Sequence, residues 1–150
     1  RKILFAQCSY TVNTRLPELG SETVGEALIK PHICYYPAIR QAMEENLALD
    51  GIAHITGGGL YDNVPRVLPN DVDVIFDSSI LPIPSIFKLL VHRGNVDPVE
   101  AYRVFNMGVG MVWFVPPAVA ERALAICREK GFIAAVIGEV TSGNKTVKIR

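Results

Sequence analysis

Cysteine is scarce in this chain. Its 150 residues hold only Cys8, Cys34 and Cys127, widely spaced and without a CxxC pair. An odd, scattered set supplies neither a disulfide framework nor the paired ligands of a structural zinc site, so reduced thiols in a cytoplasmic protein are expected. Net charge is missing too. Lys+Arg and Asp+Glu both total 15, and no basic run stands out, so nothing here draws nucleic acid or an anionic membrane surface. Long apolar runs are absent as well. The longest, VGMVWFVPPAVA over 109–120, carries two prolines and falls short of the about 18 apolar residues that mark a membrane span. The opening RKILFAQC is too short for the core of a signal peptide. There are no repeats, low-complexity segments or interior linker.

What remains is the composition of one folded domain: 49% apolar and 20% charged residues, enough to bury a core. RKILFAQC reads as the end of a helix and NTRLPELGS as a loop. Ser21-Glu22 opens a short helix, ETVGEALIK, closed by Pro31. HICYY (32–36) reads as a β-like run ended by Pro37, after which Ile39, Ala42, Met43 and Leu47 fall at helical spacing. GIAHIT (51–56) reads as a strand. LYDNVPRVLP holds one or two helical turns interrupted by Pro65. VDVIFD (72–77) alternates with strand period, its aspartates on the solvated face. PSIFKLLVHRG (84–94) is a helix, and so is DPVEAYRVFN (97–106), with Asp97 as N-cap and Pro98 at N1. GMVWFVP (110–116) reads as a buried strand and PPAVAERALAICREKG (116–131) as a helix stopped by Gly131. AAVIGEV and TVKIR are strands around the turn TSGNK. This alternation of strands and helices predicts an α/β layered domain.

Two glycine patterns are near misses. GEVTSGNKT (138–146) puts Asn144 between glycine and lysine and lies between strands, which predicts a hairpin turn rather than a P-loop. GVGMVW (108–113) lacks the third glycine of a dinucleotide fingerprint and runs into a strand. No GxSxG, HExxH or EF-hand loop is present, and His32 and His92 stand alone. HITGGGL (54–60) differs in its placement. A strand feeding a glycine loop that opens a helix aims several backbone N–H groups at one spot, and the missing side chains admit an anion closely. Thr56 adds a hydroxyl. Asn63 and Arg66 follow on the next turns, the arginine as a charge partner for phosphate. The residues alone leave two readings open: a phosphate cradle, or a glycine hinge beside a packed histidine.

Four segments carry a resemblance: LPELGSETVGEALIKP, GIAHITGGGLYDNVPRVLP, PIPSIFKLLVHRGNVDPVEAYRVFNMGVGMV and VIGEV. Together they resemble the C-terminal domain of the phosphoribosylformylglycinamidine cyclo-ligase (AIR synthetase) family over nearly the whole chain. AHITGGGL with NVPRVLP, and FNMGVGM some 40 residues on, are its most specific parts. The resemblance implies an α/β/α sandwich with a mixed sheet and partly ferredoxin-like topology. It implies an ATP-dependent ligase of de novo purine synthesis that closes formylglycinamidine ribonucleotide (FGAM) to aminoimidazole ribonucleotide (AIR), with ADP and phosphate released. ATP phosphorylates the formamide oxygen, the amidine nitrogen attacks that carbon, phosphate leaves and the ring closes. ATP and Mg2+ are expected mainly on an N-terminal ATP-binding domain, which the start at RKILF reads as absent from this chain. A homodimer formed largely through that other domain is expected of the complete protein.

Carried over residue by residue, Thr56, Gly57, Gly58 and Gly59 form a cradle for a substrate or nucleotide phosphate. His54 faces the interdomain cleft as a proton carrier or substrate hydrogen-bonder, Asn106 orients a polar group there, and Arg66 is a further phosphate-binding candidate. No metal ligand is assigned on this half. The chain departs from the family at one place: PTRIYV is frequent where Pro31–Tyr36 reads PHICYY, so His32-Ile33 replaces a Thr-Arg pair. That keeps two rivals in view. One is a paralogous phosphotransferase of the same superfamily, against which HITGGGL beside FNMGVGM counts. The other is a standalone, non-catalytic domain that binds a phosphorylated metabolite or mediates association.

Overall fold

Capping residues and prolines set where the helices of this chain begin. The structure, a computed structural model, describes residues 1–81 and 83–150; Pro82, first residue of the PIPSIF segment, lies outside them. A π-helical turn, Lys2–Gln7, and a 3-10 turn, Pro17–Leu19, precede α1 (Val24–Ile29). That helix starts on Thr23 rather than Ser21. The Thr23 hydroxyl accepts from the Glu26 N–H while the Glu26 carboxylate accepts from the Thr23 N–H, a reciprocal cap. Helix α2 (Tyr36–Glu44) has Pro37 in its first turn. Strand β1 (Gly51–His54) leads into the short helix α3 (Gly59–Asn63), continued by the 3-10 turn Val64–Arg66. Strand β2 (Val72–Phe76), helix α4 (Ser85–Gly94) and helix α5 (Pro98–Val104) follow. Then come β3 (Met111–Phe114), α6 (Ala120–Glu129), β4 (Gly138–Ser142) and β5 (Val147–Ile149).

The α/β class is the one that the alternation of elements predicts, and the strands form two ladders. Strands β1 and β3 pair antiparallel, with Gly51 opposite Phe114 and His54 opposite Met111. Strand β2 is the middle of a mixed three-stranded sheet, antiparallel to β4 and parallel to β5. Successive side chains on a strand face opposite ways, and β3 uses both faces. Val112 joins the main core with Ala53, Ile55, Leu60, Val64, Val74, Phe76 and Val147. Its neighbour Trp113 packs instead on Ala38, Ala42 and Ile126 of α2 and α6. A third cluster, around Leu4, Leu19, Val24, Leu89 and Leu90, seats α4 on the N-terminal turns. No helix among the described residues is long and apolar enough to cross a membrane.

Four expectations give way. TSGNK is not a hairpin turn, because β4 and β5 lie on opposite sides of β2 and the connection passes over the start of that strand. Asp73 is the reason. It is not solvated but 7% exposed, and its carboxylate accepts from the N–H groups of Asn144 and Thr146 and from Lys148 Nζ. A buried carboxylate with three donors replaces the hydrogen bonds that a hairpin would have made. Gly143 makes room for it, since a Cβ there would fall 2.1 Å from Asp73 Cγ. HICYY forms no strand. Helix α2 begins at Tyr36, and the Tyr35 carbonyl is claimed by the N–H groups of Ala38 and Ile39. Strand β3 is shorter than the GMVWFVP run, with only Val112 buried in it.

Candidate functional site

Strand β1 ends at His54, and its pairing with β3 sets what lies beside the glycine loop. The Ile55 N–H donates to the Gly110 carbonyl, 2.9 Å, so the GVGM run lies alongside HIT. Ile55 is fully buried and anchors the strand end in the core, which leaves its neighbours His54 and Thr56 exposed. HITGGGL and FNMGVGM, two of the strings most specific to the family resemblance, are therefore neighbours in space.

The loop itself is drawn inward by one side chain. Asn63, 4% exposed, sits on the last residue of α3. Its Nδ2 donates to the carbonyls of Gly59 at 2.8 Å and Gly57 at 3.2 Å, with Thr56 O at the 3.5 Å limit. The Gly59 N–H closes on the Thr56 carbonyl. With the carbonyls engaged, the N–H groups of Thr56, Gly57 and Gly58 have no backbone acceptor among the described residues. Helix α3 is a little over one turn long, so these individual donors, rather than a helix dipole, carry any attraction for an anion.

Each glycine of the triplet has a different reason to be there. Gly57 is exposed, and a Cβ on it meets nothing within 4 Å. Gly58 has φ 97° and lies under Asp62, whose Cβ would be 2.7 Å from an added methyl. Gly59 has φ 56° and is buried against α5; a Cβ there would stand 1.9 Å from the Tyr102 carbonyl oxygen and 2.7 Å from that of Phe105. Only glycine fits that approach. The Asp62 carboxylate beside Gly58 means that an anion in this loop enters from the Gly57 side or together with a cation.

Asn106 follows directly on Phe105. Its Oδ1 accepts from the Gly108 N–H, 3.1 Å, holding a turn in which Met107 and Gly108 take positive φ. The amide oxygen is thus committed to the loop, and the Nδ2 group is the part left to meet a ligand. Arg66 is exposed at the end of the 3-10 turn, and no hydrogen bond among the described residues ties it to the glycine loop.

His32 does not stand alone. Its Nε2 lies 2.9 Å from His54 Nε2, a hydrogen bond between the two imidazoles, whose ring centroids are 4.9 Å apart. The extended stretch before α2 places it there, and Tyr35 stacks edge-on against it at 5.7 Å. Tyr35 in turn packs on Phe132, and its hydroxyl lies so close to Gly110 that a Cβ would be 1.8 Å from it. Burial pushes the Tyr35 phenol above its ordinary value. No local pattern announces the histidine pairing, because the partners lie 22 residues apart in different elements. Among the described residues, no three His, Cys, Asp or Glu side chains gather into a metal-binding group.

A family model described as "AIR synthase related protein, C-terminal domain" matches residues 9–150. The chain belongs to that family. Relatives named phosphoribosylformylglycinamidine cyclo-ligase match along nearly its whole length. That of Bifidobacterium longum subsp. infantis is 38% identical over 149 residues, 99% of this chain and 43% of the relative. That of Bifidobacterium animalis subsp. lactis is 41% identical over 140 residues, 93% of this chain and 40% of its own length. The Shouchella clausii protein is 40% identical over 147 residues, 98% and 42% of the two chains. The chain thus spans about two fifths of the length of the curated relatives it matches.

Proposed function

We propose that this chain forms one wall of the active site of an ATP-dependent cyclo-ligase that converts FGAM to AIR in purine synthesis. The observation that supports it most is the packing of HITGGGL on FNMGVGM in a domain whose relatives carry that enzyme's name. In this reading the Thr56, Gly57 and Gly58 N–H groups and the Thr56 hydroxyl receive a phosphate oxygen, with Asn63 holding the loop open from beneath. The second wall is an N-terminal ATP-binding domain, and the complete protein is a cytoplasmic homodimer.

The ring closure needs phosphate charge held in place and one proton removed from the attacking amidine nitrogen. His54 is the group at the loop mouth able to take that proton. In the His32–His54 hydrogen bond one Nε2 carries the proton and the other accepts it, so the pair has one lone pair engaged and can exchange roles. Asn106, which follows the Phe105 carbonyl beside Gly59, is the residue this reading assigns to orient a polar group of the substrate. Mg2+ would accompany ATP and neutralise phosphate charge, held in this reading mainly by the companion domain.

Gly57 offers the cleanest test, because a side chain there strains nothing and only crowds the approach to the loop. Gly57→Val should fold as the wild type does. It should bind a phosphorylated ribosyl amide about tenfold or more weakly, the equivalent of losing one charge-assisted hydrogen bond. Titration calorimetry on both forms decides this, and equal affinity would remove the cradle from the reading. In the protein joined to its ATP-binding domain, His54→Ala should lower turnover about 10²–10⁴-fold if the imidazole carries the proton. Unchanged turnover would make His54 a packing residue.

A further inference from the structure

Two imidazoles that meet through their Nε2 atoms at an exposed surface are also a chelate. Both rings are held from behind. His54 sits on a strand paired with β3, and His32 is stacked on Tyr35, itself fixed between Phe132 and Gly110. Among the described residues neither ring nitrogen has another hydrogen-bond partner, so nothing competes for the lone pairs except the other imidazole. We propose that His32 and His54 form a two-ligand site for a borderline divalent transition metal such as Zn2+, Ni2+ or Co2+, with water completing its coordination.

The geometry is close to what such an ion requires. Zinc–nitrogen bonds of about 2.0–2.1 Å at a tetrahedral angle put the two nitrogens about 3.3 Å apart. The observed 2.9 Å asks for an opening of a few tenths of an ångström and for each ring to turn its lone pair about 35° off the line between the nitrogens, which exposed rings can supply. When the metal enters, the ring that donated its Nε2 proton passes to the Nδ1–H form through solvent, and both Nε2 lone pairs turn to the ion. The Nδ1 of that ring takes the proton, while the accepting ring already carries its own on Nδ1. Neutral nitrogen donors favour borderline ions over Mg2+ or Ca2+, which take oxygen ligands. Cys34 is exposed two residues beyond His32 but joins no three-ligand group with the pair, so the site is an open one.

The proposal shares His54 with the ligase reading, because an Nε2 bound to a metal cannot also take the proton of ring closure; its test reads metal binding alone, so its failure leaves the glycine loop untouched, and failure of the loop test leaves it untouched. Isothermal titration of the 150-residue chain with Zn2+ and with Ni2+ should give one saturable site, and Mg2+ none. Since removing even an outer-shell partner of a metal ligand costs about 10–100-fold in affinity, His32→Ala and His54→Ala should each weaken binding by at least tenfold. Cys34→Ser should leave it unchanged. Imidazole ¹⁵N spectra of the wild type should show the Nε2 resonances of His32 and His54 moving together with Zn2+ while those of His92 stay still. Binding that survives His32→Ala, or that is lost in Cys34→Ser, would overturn the assignment. So would spectra in which only one of the two histidines responds.

Discussion

At Gly59 a methyl group has nowhere to go: the carbonyl oxygens of Tyr102 in α5 and of Phe105 at its C-cap stand within 2.7 Å of where it would be, and φ is 56°. Gly59→Ala should therefore cost about 2–5 kcal/mol from backbone strain plus overpacking. Urea unfolding would read this as a lowered midpoint. Gly57→Ala, in open space, should leave that midpoint nearly unchanged. The sequence presents GGG as three equal letters; only the packed neighbours separate a glycine required by the fold from one free to face a ligand. Asn63 shows the same limit. Its letter predicted nothing more than a place on the next turn, whereas its amide spans the loop carbonyls because α3 curls back over them. His32 had no local signal, since its partner comes from a strand that the α2 segment approaches only in the folded chain.

The helices were the most legible elements. Asp97-Pro98 predicted the start of α5, and the Asp97 carboxylate does accept from the N–H groups of Val99 and Glu100. Asp97→Ala should destabilise the protein by about 0.5–2 kcal/mol. The other end of α5 seats Gly59, so the loss should be accompanied by faster amide exchange at residues 59–63, measurable by hydrogen exchange. Strands were read less well. The alternation in VDVIFD predicted β2, yet period two cannot say which strand lies on either side. Residues 134–150 read as a hairpin because a turn-rich stretch between two β-prone runs usually joins neighbours. Here β2 inserts between them. HICYY had β-prone residues and no partner strand, and Pro37 committed the following residues to a helix.

Across the whole molecule, Asp73 couples stability to pH. The N–H groups of Thr146 and Asn144, then the Lys148 ammonium, hold its carboxyl down from 3.8 to about 2. A carboxyl depressed on folding stabilises the native state while ionised. Its contribution is complete above the unfolded value of 3.8 and is lost as pH falls through about 2. Asp73→Asn should thus be less stable than the wild type near neutral pH, with the difference shrinking as the solution is acidified from pH 3.8 toward 2. Urea melts of both forms across that range check it; a constant difference would mean that the charge is not what holds the connection between β4 and β5.

Short-range periodicity, caps and prolines, and the strings HITGGGL and FNMGVGM were enough for the α/β class, most helix positions and the family. Long-range packing set the rest. It placed β2 between β4 and β5, buried Asp73 beneath the connection, turned three loop carbonyls toward Asn63 and brought His32 to His54. Each is a contact between groups far apart in the chain, set by which apolar faces pack together, and no local pattern encodes such a distance.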